Sequence, residues 1–249
     1  MREPVPELVT GDAFGGALRA CHEAGARPGA VFQIVERDDG HIAASDAAMY
    51  FAPVEDWPEL ERQAAEEVTG RVLDVGCGAG RHASVLSATG VEVIGLDSSP
   101  GAVAVARARG VDARLGSVSA IPSGIDAVDT VVLFGNGIGL LGSAEQAPVV
   151  LAELARVAAP GARLLGSGSD PYGTTNPIHL AYHQRNRARG RLPGQLRLRV
   201  RHERLASEWF DYLLPSEAEL TDLLRESPWR LVELRHDGHG GYLAVMQRR

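Results

Sequence analysis

The chain has 249 residues, 45% of them hydrophobic and 23% charged, with a formal net charge of −7. That length suits one α/β domain with additions, and the acidic balance weighs against a general nucleic-acid binder, which needs a basic face. All 25 residues counted as Lys+Arg are arginines, which excludes Schiff-base chemistry, pyridoxal phosphate anchoring and a P-loop lysine, since each needs a primary amine.

Met1-Arg-Glu-Pro-Val-Pro-Glu7 lacks the basic-then-apolar layout of a secretory signal. No apolar run of about 18 residues follows, so no membrane span is expected. Cys21 and Cys77 are too few for a disulfide framework or a cysteine-rich zinc site, and a cytoplasmic location is expected. Residues 1–60 read as an arm ahead of the core, with Thr10-Gly-Asp-Ala-Phe-Gly-Gly16, Val31 to Gly40, and an aromatic group of Tyr50, Phe51 and Trp57.

The core is expected over 61–249. Arg71 to Val75 is an apolar strand that runs into Gly76-Cys-Gly-Ala-Gly80, and a helix near 79–89 follows. Glycine lets a main chain approach a ligand closely, and the helix start points its amides at that ligand. The strand near 91–96 ends on Asp97, which lies 21 residues after Gly76. A carboxylate there can accept both hydroxyls of a ribose. The dinucleotide fingerprint has a third glycine where this chain has Arg81, which argues against a nicotinamide or flavin site.

Further along, the pattern predicts a helix near 99–109, strands near 111–115 and 128–134, a helix near 144–158 and a strand near 162–168. A helix near 216–226 and strands near 230–235 and 241–247 close the chain, with Asp237-Gly-His-Gly-Gly241 as the last turn. The insertion at about 170–214 contains Gln195-Leu-Arg-Leu-Arg-Val-Arg201, which alternates with period two as a half-buried strand does. Trp209 to Leu214 is its expected hairpin partner, with Leu196, Leu198 and Val200 facing inward.

Asp74 two residues before Gly-x-Gly-x-Gly, followed by Asp97-Ser98-Ser99, Gly116 to Pro122, Asp129 to Asn136 and Val149 to Gly161, closely resembles the class I S-adenosylmethionine-dependent methyltransferases. The resemblance covers about residues 50 to 249. It implies a Rossmann-like seven-stranded sheet, mostly parallel with the last strand antiparallel, and helices on both faces. It implies S-adenosyl-L-methionine as cofactor, held by Asp74, Gly76, Cys77, Gly78, Arg81, Asp97, Ser98 and Asn136, with Ser117 and Val118 on the adenine loop. Ser117 stands where the family commonly has an acid, which puts that one contact in doubt. Cys77 reads as a small packed residue, not as a nucleophile. The N-terminal arm reads either as a substrate-covering lid or as an anchor on the sheet.

The acceptor is less legible. Members of the resembled family that methylate amino groups of DNA bases or of glutamine carry Asn/Asp-Pro-Pro-aromatic after the fourth core strand; this chain has Gly135-Asn136-Gly137-Ile138, so the resemblance implies a small-molecule acceptor instead. Its expected contacts are Tyr50, Phe51, Asn136, Tyr172 and Trp209. A base is needed only if the acceptor carries a proton, and Asp170, His179 and His183 are the candidates. His179 and His183 sit four apart but lack the zinc-protease glutamate, so no metal is expected. The arginines from Arg185 to Arg204 read either as an RNA-gripping run or as the solvated face of a hairpin. An RNA methyltransferase and a non-catalytic cofactor-binding module are the alternative functions, and the oligomeric state is left open.

Overall fold

A computed structural model describes residues 7–249. In chain order the elements are β1 (Val9–Thr10), α1 (Ala13–Glu23), β2 (Phe32–Arg37), β3 (Ile42–Asp46), α2 (Glu59–Glu66), β4 (Arg71–Val75), α3 (Arg81–Ala88), β5 (Glu92–Asp97) and α4 (Pro100–Ala108). There follow β6 (Asp112–Leu115), β7 (Val128–Leu133), α5 (Ala147–Val157), β8 (Ala158–Ser169), α6 (Pro177–Ala188), β9 (Gln195–His202), β10 (Leu205–Ala206), β11 (Phe210–Leu213), α7 (Glu217–Leu224), β12 (Trp229–His236) and β13 (Gly241–Arg248).

The main sheet has seven strands in the order β12-β13-β8-β7-β4-β5-β6. From β8 to β6 neighbours are parallel, whereas β13 runs antiparallel between β8 and β12. This is the Rossmann-like sheet that the family resemblance implies. Its central strands are covered on both faces, which is why Val72 to Val75 and Val131 to Leu133 are continuously buried instead of alternating. One face packs on α5 and α7 through Val150, Leu154, Leu220 and Leu224. The other packs on α2, α3 and α4 through Ala64, Leu86, Val103 and Ala106.

A second sheet has the order β1-β10-β9-β2-β3, with β11 also paired to β9. The expected β9/β11 hairpin forms, with Tyr212 opposite Leu196 and Phe210 opposite Leu198. What the sequence reading lacked is that β2 pairs with β9, Val35 opposite Val200, so the N-terminal segment and the insertion share one sheet. A local signal existed for its β2/β3 half: Asp39-Gly40 between two short apolar segments is a hairpin turn, and Gly40 has φ +86. The pairing of β2 with β9 carries no local mark.

Trp229 is fully buried at the start of β12, and its indole Nε1 donates to the Leu151 carbonyl at 2.9 Å. It joins the C-terminal hairpin to α5. Trp229→Ala should lower unfolding free energy by about 3–5 kcal/mol, read as a shifted midpoint in chemical denaturation.

Candidate active site

The turn after β4 needs backbone angles that only glycine adopts freely. Gly76 has φ +71 and Gly78 φ +54, and a Cβ on Gly76 would lie 2.8 Å from a Leu140 methyl. The Gly78 N–H donates to Asp97 Oδ2 and the Ser99 N–H to Asp97 Oδ1, each at 2.9 Å. Each carboxylate oxygen therefore keeps a lone pair for a further donor. Asp97 is 8% exposed, and burial pushes its carboxyl up to about 6 against the pull of those two amides, with Asp74 and Asp12 adding to the rise.

The remaining cofactor candidates divide. Asp74 lies behind the turn, accepting from the Ala83 N–H of α3 at 3.2 Å, and burial raises its pKa. Cys77 is buried with its thiol pushed far up by burial, a packed and unreactive group. Arg81, the first residue of α3, donates from Nη1 to the Met49 carbonyl at 3.1 Å and so pins the turn that carries Tyr50. Ser98 is exposed beside Asp97. Ser117 is also exposed, its Oγ 2.9 Å from Ser119 Oγ, and Val118 is half-buried next to it. Their loop is tied to the acid by the Gly116 N–H, which donates to the Asp97 carbonyl at 2.9 Å.

Asp12 was missed in the sequence. It caps α1 through the Gly15 N–H at 2.9 Å and also accepts from Ser99 Oγ at 2.7 Å and the Gly101 N–H at 2.7 Å. A Cβ on Gly15 would fall 2.6 Å from the Gly101 Cα, so the two helix starts touch through glycine. Phe14 and Tyr50, ring centroids 5.1 Å apart, then sit above Gly78. An Asp before Ala-Phe-Gly-Gly is a helix-cap signal, but nothing local pairs it with Ser99.

The loop after β7 is held from three sides. Asn136 has φ +65; its N–H donates to Ser167 Oγ at 2.9 Å, its carbonyl accepts from Tyr212 OH at 2.6 Å, and its Oδ1 accepts from Ser169 Oγ at 3.3 Å. Beneath it, Glu61 Oε1 accepts from the Gly135 N–H and Ser167 Oγ, both at 2.7 Å. Glu61 is 2% exposed. Burial alone would raise its carboxyl; His82, at 3.4 Å, and the bonds from Ser167 and Gly135 outweigh that and hold it below its ordinary value. Glu61 and Tyr212 had no sequence signal.

Strand alternation puts Gln33, Val35, Arg37, Leu198, Val200 and Tyr212 on the inner face of the second sheet. Gln33 Nε2 donates to Tyr50 OH at 2.8 Å. Between this face, α6 and the end of β8 lies a cavity of about 310 Å³. The three base candidates meet there: Asp170, whose Oδ1 caps the Tyr172 N–H at 2.8 Å; His179, edge-on to His41 at 5.4 Å; and His183, 5% exposed. Tyr172 is 47% exposed, its hydroxyl on Glu219 at 2.7 Å and its ring 6.5 Å from His183. Phe51 instead stacks on His22 under Arg109. Trp209 lies under Arg199, 4.7 Å away, on the outer face. The structure does not bring these two to the cavity. Among the described residues no group of three His, Cys, Asp or Glu side chains could hold a metal ion, and no helix is long and apolar enough to cross a membrane.

A family model described as a methyltransferase domain matches residues 72–161. An S-adenosylmethionine-dependent methyltransferase from Bacteroides fragilis, solved in complex with S-adenosyl-L-homocysteine, superposes with a TM-score of 0.80 at 24% identity, covering 97% of this chain and 98% of that one. The CcbJ methyltransferase from Streptomyces caelestis gives 0.58 at 17% identity over 78% of this chain and 100% of that one. A search of curated proteins finds no sequence match. Residues 72–161 thus match a methyltransferase domain, and the chain as a whole has the fold of S-adenosylmethionine-dependent methyltransferases, with the motif turn and acidic strand end in the matched part. The residues fit the cofactor: a buried carboxylate with spare lone pairs beside a glycine turn suits a ribose, and the cofactor brings a methyl group on a sulfonium.

Two outcomes follow. Because Asp97 must be ionised to accept two hydroxyls, S-adenosylhomocysteine affinity should be flat near neutrality and fall about tenfold per unit as pH drops below about 6. Calorimetry across that range should show the fall in the wild type and no such step in Asp97→Asn, which binds weakly throughout. Glu61→Ala frees the Gly135–Asn136 loop and should cut turnover by up to about 10²-fold, with a smaller change in S-adenosylhomocysteine affinity.

Proposed function

We propose that this methyltransferase acts on a small-molecule acceptor held in the cavity between α6 and the second sheet. The observation that carries this reading is the position of the cavity. Asp170 on its wall directly follows Ser169, whose hydroxyl bonds Asn136, and Leu196 on its wall faces Tyr212, whose hydroxyl bonds the Asn136 carbonyl. The acceptor site is thus continuous with the loop after β7.

On this reading residues 1–60 and about 170–214 together serve the acceptor, and the rest of 61–249 serves the cofactor. Tyr50 and Phe14 cover the glycine turn, Asn136 lies between cofactor and acceptor, and Asp170, His179 and His183 are available to take a proton. The rate enhancement comes from aligning nucleophile, methyl carbon and sulfur away from water.

The arginine run favours an RNA substrate less than its length suggests. Arg199 and Arg201 bond Glu36 at 2.9 and 3.3 Å, and Arg191 and Arg197 lie 3.4 and 3.8 Å from Asp211. Four of the arginines are thus drawn onto two carboxylates within the chain, which reduces the charge left for a phosphate backbone.

The test is S-adenosylhomocysteine production from small phenols, alcohols, amines and carboxylates, beside unstructured and hairpin RNA. Turnover with a small molecule, lost in Asp97→Ala, is expected. Turnover with RNA alone would overturn the acceptor assignment.

A further inference from the structure

The cavity wall specifies more than the size of what it holds. At about 310 Å³ it falls at the low end for small-ligand sites. Val35, Leu196, Leu198 and Leu214 make one part of its wall apolar, and imidazoles of His41, His179 and His183 mark another.

His183 is 5% exposed and makes no hydrogen bond to any described residue. His179 has only a long contact, Nδ1 to Thr174 Oγ1 at 3.5 Å. Both imidazoles line the cavity, so a ligand there can bond their ring nitrogens in place of solvent. Burial, then Arg187, His179 and Arg37, depress the proton affinity of His183, with Glu219 opposing. Burial, then Arg37 and His41, do the same to His179 against Asp39. Neutral imidazoles each offer one donor and one acceptor.

Of the two charged groups on the wall, Arg37 is paired and Asp170 meets no cation among the described residues. Arg37 is matched by Asp39 through two bonds of 2.8 Å. Asp170 is half-buried and its Oδ1 caps the Tyr172 amide. An anionic ligand would lose hydration there with no free cation on the wall to meet it; an ammonium could turn only to Asp170, away from the hydrogen-bonding imidazoles, an arm that the ammonium probe tests. A hydroxyl loses less and can both donate to and accept from them.

Resting on the acceptor reading above, we propose that the cavity takes an uncharged molecule with an apolar body and a hydroxyl group, a phenol or alcohol, and that His183 recognises the hydroxyl. His183 is then a specificity-determining contact.

Three probes with one body separate the classes: 2-naphthol, 2-naphthoate and 2-naphthylmethylammonium, titrated by calorimetry at neutral pH into the whole protein saturated with S-adenosylhomocysteine. The naphthol should bind about tenfold tighter than either ion. His183→Leu should remove that advantage with S-adenosylhomocysteine affinity unchanged, and His183→Asn should restore part of it. Should the leucine variant not fold, the wild-type ranking and His183→Asn still decide. Equal or tighter binding of either ion, no binding of any probe, or naphthol affinity unchanged in the variants overturns the assignment while leaving the methyltransferase reading intact. A wild type that fails to bind S-adenosylhomocysteine overturns both.

Discussion

Asp97 is a carboxylate that the fold has taken almost out of water and given two backbone amides, from Gly78 and Ser99. Its pKa is raised, so the fold favours the protonated acid, and ionised Asp97 works against folding at neutral pH. Ligand hydroxyls donating to its spare lone pairs would offset that cost. The rest of the site is arranged around this residue. The glycine turn reaches it because Gly76 and Gly78 accept positive φ, and the β6 loop reaches its carbonyl through Gly116. Asp12 binds Ser99 and Gly101 and so sets α1 against the same strand end.

Glu61 plays the corresponding part at the loop after β7. It sits at one centre of a chain that runs from Gly135 and Ser167 to Asn136 and on to Tyr212 of the second sheet. His82 and Arg81 approach the other oxygen of Glu61, and Arg81 also holds Met49 beside Tyr50. One buried carboxylate thereby couples the start of α3, the loop after β7 and the arm that covers the glycine turn. Removing it would leave buried donors unsatisfied and the loop free to move.

The second sheet separates two surfaces with different chemistry. Its outer face carries arginines bonded to Glu36 and Asp211, and Trp209 under Arg199. Its inner face is largely apolar, with Arg37 matched by Asp39, and closes a cavity with the histidines of α6. The period-two alternation of Gln195 to Arg201 set this division, since each residue inward leaves its neighbour outward.

The sequence alone marked the glycine turn, the acidic strand end and the strands around them. Gly76 to Gly80, Asp97 and the strands around them are contiguous segments fixed by local backbone geometry, so spacing reveals them, and the resemblance they carry implied the mostly parallel seven-stranded sheet whose order the structure supplies. The sequence also held the β9/β11 hairpin, because a hairpin is a local object. Only the tertiary structure decided that Phe32–Arg37 pairs with β9, that Asp12 meets Ser99, that Glu61 supports Asn136, and that Tyr212 reaches Asn136 where Trp209 does not. These contacts join segments far apart in the chain. Each side chain involved is an ordinary polar or aromatic residue in its own segment, and its role exists only once the chain has folded and excluded water around it.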